Sequence, residues 1–238
     1  MEQKLSIQNL KKKLTTQLYQ PSTLTDLVPV PQKTETISTP VSGAGMISVY
    51  MEGVNDPNQD YAVHFTKDNV DFFVLADGVG GRGGGAMASQ LLIDFVRQNV
   101  SADNINRPFI LHNLLEAADN ELFRHQTAGE TTAIVIAIKD DMIYGSSVGD
   151  SEAWMIENNE VRILTEGQYQ KPFIGSQHAS PFSFKRYFPC GTLIIGSDGL
   201  FKYTQQNHII QTAQQMTKIS SSAALADLTR TKSGHLQG

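Results

Sequence analysis

The sequence contains one cysteine, Cys190, in 238 residues, which excludes an internal disulfide framework and the zinc sites built from several thiolates. A lone thiol suits a reducing compartment and reads as a small buried hydrophobe rather than a nucleophile. No apolar run approaches the roughly 18 residues of a membrane-spanning helix, and the first residues are polar where a secretory signal needs an apolar segment. These features point to a cytoplasmic protein without a membrane span. Positive charge is also scarce. The formal net charge is −5 and the cations are scattered, apart from Lys11, Lys12 and Lys13, so the basic footprint of a nucleic-acid binder is missing.

What is present is enough apolar sequence, 40% of the residues, to bury the core of one large domain. Ahead of that domain, Leu5, Ile7, Leu10, Leu14 and Leu18 recur at mostly helical spacing over residues 3–18 and predict a short amphipathic helix with a basic face, which could dock on the domain, bind a partner or fray. Residues 21–43 carry four prolines and many Ser and Thr, the composition of an extended linker. Residues 1–43 are therefore expected to be helix and linker, and residues 44–238 the folded domain.

Within the domain, short runs rich in β-branched and aromatic residues predict strands at 45–51, 61–65, 70–76, 131–138, 141–148, 151–156, 160–164 and 192–197. The connections KDNVD (67–71), KDD (139–141) and ENNE (157–160) are short enough to join antiparallel neighbours. Helices are expected at 88–100, at 108–126, after Phe201 and over about 223–230. In the second of these Ile110, Leu111, Leu114, Leu115, Ala118, Leu122 and Phe123 form one apolar stripe. Strands in succession with helices grouped between them imply antiparallel sheets covered by helices, an α+β class.

FFVLADGVGGRGGGAMA (72–88) ends an apolar strand in Asp77 and a crowd of glycines. Gly78, Gly80 and Gly83 satisfy the dinucleotide-binding spacing G-x-G-x-x-G. Two features oppose that reading: Asp77 would face the pyrophosphate, and Asp94, the acidic residue nearest the required distance, lies mid-helix. Other carboxylates also stand at strand ends: Asp60 in NQDYAVHF, Asp150 in SSVGD and Asp198 in IIGSD. Singly, each is an ordinary turn-former or helix cap. Four together suit a hard divalent cation, which takes oxygen ligands and needs few carboxylates.

NQD (58–60), ADGVGGRGGGAMAS (76–89), GETTAIVIAI (129–138), VGDSEAW (148–154) and IIGSDGLFKY (194–203) occur in the order and rough spacing of the PPM family, the metal-dependent type 2C serine/threonine protein phosphatases, and resemble its bacterial branch. The resemblance covers about residues 45–237. It implies an α/β/β/α four-layer sandwich, two antiparallel sheets flanked by helices, with a Mn²⁺ or Mg²⁺ site at one edge. It further implies two ions per chain with a third, weaker site, and hydrolysis of phosphoserine or phosphothreonine in a phosphoprotein substrate by a water that the two metals activate. By resemblance Asp77 bridges both ions, the carbonyl of Gly78 joins one, Asp60 is a ligand or water-holder, Asp198 is a ligand, and Asp150 contributes to the third site. Asp60, Asp77 and Asp198 carry the chemistry.

The sequence departs from the family pattern in several places. The Asp pair and closing strand that usually follow a segment like SGHLQ are not within these residues, so one metal ligand and one strand are expected to be missing. The upstream arginine that binds substrate phosphate has no counterpart in MISVYMEGVNDPNQD, leaving Arg82, Lys185 and Arg186, together with Lys171, as stand-ins. Val79 occupies the place of a histidine found in some members, so no general acid is named. Residues 166–190 are expected to form a flap beside the site, with Phe173, Phe182 and Phe184 as contacts. The alternative reading is a catalytically weak or inactive phosphatase-like module that binds a phosphoprotein or partner.

Overall fold

The computed structural model describes residues 33–38, 40, 46–53, 57–80, 83–107, 109–215, 221–231 and 233–235. The helix expected over 3–18 and most of the linker lie outside them. Inside the expected linker, Lys33–Ser38 instead forms a strand, β1, antiparallel to β2 (Ile47–Glu52). It was hidden from the sequence because its side chains alternate among Lys, Thr and Glu and carry little apolar signal.

Three hairpins build most of the sheets. The β3 (Asp60–Lys67) to β4 (Val70–Asp77) connection turns at Asp68 and Asn69, with φ of 48° and 59°. Asp140 and Asp141 (φ 50° and 56°) join β5 (Ala133–Lys139) to β6 (Met142–Val148). Asn158 and Asn159 (φ 49° and 70°) join β7 (Glu152–Glu157) to β8 (Glu160–Ile163). Two consecutive left-handed residues make a turn whose twist matches paired strands, and Asp and Asn tolerate that conformation best among residues with a side chain.

Strands β3-β4-β5-β6-β9, the last being Phe182–Tyr187, form a five-stranded antiparallel sheet, and β10 (Thr192–Gly196), β7 and β8 form a three-stranded one. Helices α1 (Gly85–Asn99) and α2 (Ile110–Arg124) cover the larger sheet. Helices α3 (Asp198–Tyr203), α4 (Gln206–Gln215) and α5 (Ser221–Asp227) follow β10. Period-two alternation assigns each strand residue to a layer. Ala133, Val135 and Ala137 of β5 face α1 and α2, while Ile134 and Ile136 face the other sheet. Ala153 and Met155 of β7 meet those isoleucines, while Trp154 and Ile156 face Ile209, Ala213 and Leu225 on the helices beyond. The result is the expected helix, sheet, sheet, helix sandwich.

Three details differ from expectation. Phe123 is 51% exposed, because it falls about 100° around α2 from Leu122, off the buried stripe. Strand β9 forms inside the expected flap; its exposed Lys185, Arg186 and Tyr187 are those of a sheet edge and mask its alternation. Cys190 is exposed rather than buried. No helix among the described residues is long and apolar enough to cross a membrane.

Candidate functional site

The β3–β4 register places Asp60 directly opposite Asp77. Like charges in facing positions of a sheet repel, and here both are largely withdrawn from water. Burial pushes Asp77 up to about 9, helped by the Asp60 carboxylate beside it and by Asp198 and Asp150 farther off. Asp60 is raised too, first by burial and further by Asp198, while a hydrogen bond with Asp77 and a weaker one from the Ser197 hydroxyl work the other way. Asp198 arrives from the second sheet as the first residue of α3, immediately after β10. Asp150 follows the end of β6 and is raised by burial, with Asp198 adding to it. Four carboxylates from four separate strand ends therefore share one electrostatic neighbourhood.

The backbone of Asp77 is tightly fixed. Its carbonyl accepts from Thr132 N at 2.8 Å and from Thr131 Oγ1 at 3.0 Å, and its amide donates to Thr132 Oγ1 at 3.0 Å. Thr132 Oγ1 is in turn 2.8 Å from Ser151 Oγ, one residue beyond Asp150. Sequence reasoning quoted these residues within motifs without giving them a role; the signal was two polar threonines directly ahead of a buried strand.

The glycines clear space rather than cradle a ligand. A Cβ on Gly78 would stand 2.3 Å from the carbonyl oxygen of Gly85, and one on Gly84 (φ 87°) would stand 2.6 Å from the amide of Gly129. Only bare backbone lets the loop after Asp77 press against α1 and the 128–130 segment, where Val79 N donates to the Glu130 carbonyl at 2.9 Å. Strand β4 is antiparallel to both neighbours, so the crossover that a dinucleotide loop requires is not made.

The segment after β8 packs beside this site through its backbone. Ile174 exchanges hydrogen bonds with Thr131, both at 3.0 Å. The amides of Gly175 and Gln177 donate to Asp119 Oδ1 at 2.7 and 3.0 Å, and that of Ala179 donates to Oδ2 at 3.0 Å. Of the three phenylalanines expected as contacts, Phe173 is buried, Phe184 packs between the sheets and Phe182 is half-buried, whereas Tyr169 of the same segment is exposed. Lys171 and Lys202 act electrostatically on Asp150. Lys185 and Arg186 of β9 pair with Tyr144 and Ile143, toward the end of β6 away from Val148 and with two strands between them and β4, so the fold does not bring them to the carboxylates. Arg82 lies outside the described residues.

The donor set suits a hard divalent cation: oxygen ligands only, with two facing carboxylates whose repulsion a cation relieves. The arrangement is open, however. Among the described residues no three His, Cys, Asp or Glu side chains converge closely enough to grip an ion as a group.

A family model described as Protein phosphatase 2C matches residues 50–230. The chain belongs to the protein phosphatase 2C family. The resemblance drawn from its motifs is thereby borne out, and solved structures share the fold. They include the serine/threonine phosphatase Stp1 from Staphylococcus aureus (20% identity, 71% of this chain and 81% of that one, TM-score 0.61). A serine/threonine phosphatase from S. agalactiae is similar (19%, 82% and 90%, TM-score 0.64), as is the catalytic domain of PstP in complex with two manganese ions (19%, 71% and 81%, TM-score 0.55). No curated protein sequence matches the chain. For this protein phosphatase 2C member, the sandwich is thus the fold that it shares with those solved structures.

Proposed function

We propose that the chain hydrolyses phosphoserine and phosphothreonine esters in cytoplasmic proteins, with Mn²⁺ or Mg²⁺ held by Asp60, Asp77, Asp198 and the Gly78 carbonyl, and with Asp150 at the periphery. The observation that carries this reading is the facing pair Asp60 and Asp77 at the mouth of a cleft, two carboxyl groups that share a hydrogen bond while Asp77 keeps its proton and that repel once both ionise, so a divalent cation can take the proton's place. Bound divalent ions supply Lewis-acid chemistry, lowering the pKa of water and offsetting phosphate charge. The chain's own part is positioning. Thr131 and Thr132 fix the backbone of Asp77, Ser197 orients Asp60, and α3 aims Asp198 from the opposite sheet. Lys171 and Lys202, beside Asp150, are the cations placed to meet a phosphate. Purified protein should turn over p-nitrophenyl phosphate and a phosphothreonine peptide with Mn²⁺, and Asp77→Asn should lose that turnover. Hydrolysis indifferent to EDTA would overturn the proposal.

The open arrangement of the carboxylates favours a second reading, a phosphatase-like module that binds a phosphoprotein with little or no turnover. Calorimetry that shows phosphopeptide binding with no hydrolysis at millimolar Mn²⁺ selects it.

A further inference from the structure

Beside the carboxylates, two separate elements bring cations to one rim. Gly149 N donates to the Tyr169 carbonyl at 3.3 Å, which ties the segment after β8 to the residue preceding Asp150. Farther along that segment, Lys171 Nζ stands 5.6 Å from the centre of the Phe173 ring. The ring reaches Gly149, where an added Cβ would lie 3.3 Å from Phe173 Cδ1, so Lys171 is carried to one side of Asp150. Lys202 comes from α3, four residues after Asp198, and side chains at that spacing share a helix face. Both ammonium groups attract Asp150, yet among the described residues neither forms an ion pair. Asp150 is one carboxylate against two exposed lysines.

The same rim carries exposed aromatic surface. Of the five large apolar side chains exposed among the described residues, Phe109 and Phe123 stand at the ends of α2 and Tyr187 on the β9 edge. The other two, Tyr169 (67% exposed) and Tyr203 (42%), adjoin the two lysines. Lys202 Nζ lies 5.4 Å from the centre of the Tyr203 ring. Packing does not account for Tyr169, whose backbone is held by Gly149 while its ring stays in water. A phenol offers a peptide an apolar face and a polar tip at low entropic cost. Ammonium groups beside such faces suit an acidic peptide, whose methylenes lie on the rings while its carboxylates meet the lysines.

A phosphate that passes Asp150 brings its own chain neighbours to this rim. On the reading that the chain is a phosphatase, we infer that Tyr169, Lys171, Lys202 and Tyr203 form a specificity rim that selects phosphorylated segments with Asp or Glu beside the phosphorylated residue. The overall charge of −5 opposes such substrates, so selection for them has to be local.

The test uses the full chain and three peptides of equal length, in which Glu, Ala or Lys flanks a phosphothreonine on both sides. Binding is read by fluorescence anisotropy with the phosphonate analogue of each, which is not hydrolysed, and turnover of the phosphate esters is read separately with Mn²⁺. At low salt the Glu peptide should bind about tenfold more tightly than the Ala peptide, the yield of two exposed ion pairs, and the Lys peptide should bind more weakly than either. That gap should close in about 0.5 M salt. Lys171→Glu combined with Lys202→Glu should reverse the order, and Tyr169→Ala combined with Tyr203→Ala should weaken all three peptides several-fold. Equal binding of the Glu and Ala peptides would overturn the proposal, as would a Glu preference that survives that salt or the double charge reversal. Binding unmoved by loss of both rings would overturn it too. Preference without turnover of any ester upholds the rim and refutes the phosphatase reading; turnover without preference does the reverse.

Discussion

Replacing Asp77 by asparagine tests the electrostatics of the site apart from any catalysis. In the cation-free protein Asp77 is raised from its ordinary value of 3.8 to about 9. Between those values the unfolded chain has released this proton and the folded chain keeps it, so stability falls as pH rises. The slope is about 1.4 kcal/mol per pH unit for one proton. The contribution is most favourable below pH 3.8, erodes through neutrality and levels off near 9. From pH 5 to pH 8 the wild-type chain should therefore lose about 4 kcal/mol more than Asp77→Asn, an upper bound because neighbouring carboxylates share the titration. In a chain of this size that is a relative fall in Tm on the order of 10 °C. Thermal and urea denaturation of both proteins in EDTA at three pH values reads it directly. Parallel profiles, or a wild-type chain more stable than the variant at pH 8, would refute the argument that burial and the facing Asp60 strain this position.

Three further outcomes follow from the same contacts. Millimolar Mn²⁺ at pH 8 should raise the Tm of the wild-type chain, by about 2.7 kcal/mol of stabilisation at a hundredfold excess over Kd, and should do so far less in Asp77→Asn; differential scanning fluorimetry measures it. Gly78→Ala should cost about 1–3 kcal/mol in urea denaturation, since the new methyl group would meet the Gly85 carbonyl at 2.3 Å. Asp119→Ala strips the acceptor from three amides and should cost about 3 kcal/mol, with hydrogen exchange rising over residues 175–179.

How much of this was legible beforehand depended on whether the signal was local. The three hairpins were readable because Asp and Asn pairs at left-handed positions sit between apolar runs, and both the turn and its flanks lie within a dozen residues. Antiparallel sheets covered by helices were readable from strands in succession with helices grouped between them, and the four-layer sandwich was what the resemblance of the ordered motifs implied. Aspartates closing apolar strands were visible too, since a carboxylate there interrupts an otherwise continuous run. Their approach was not, because the opposition of Asp60 to Asp77 is a matter of register and the arrival of Asp198 one of sheet packing. Strand β1 escaped notice because KTETIS carries little apolar signal, and β9 because Lys185, Arg186 and Tyr187 are spent on solvent. Lys185 and Arg186 looked eligible as phosphate ligands until pairing with β6 carried them toward the wrong end of the sheet. Asp119 was missed for the opposite reason: an acidic residue within an apolar helical stripe reads as solvent-facing, whereas it is 3% exposed and fully engaged.

The way Asp119 grips its loop has a bearing on divergence. All three hydrogen bonds end on main-chain nitrogen, so none uses a side chain of the loop, although 175 itself must stay glycine because its φ is 100° and a Cβ there would stand 2.7 Å from the Gly129 carbonyl oxygen. His178 is exposed and can be exchanged without loosening the anchor, whereas Gln177, also exposed, holds a left-handed φ of 67° that β-branched residues resist. A rim segment whose course is set by a helix and whose outward chemistry is free lets a phosphatase acquire new target preferences while its carboxylates stay where they are.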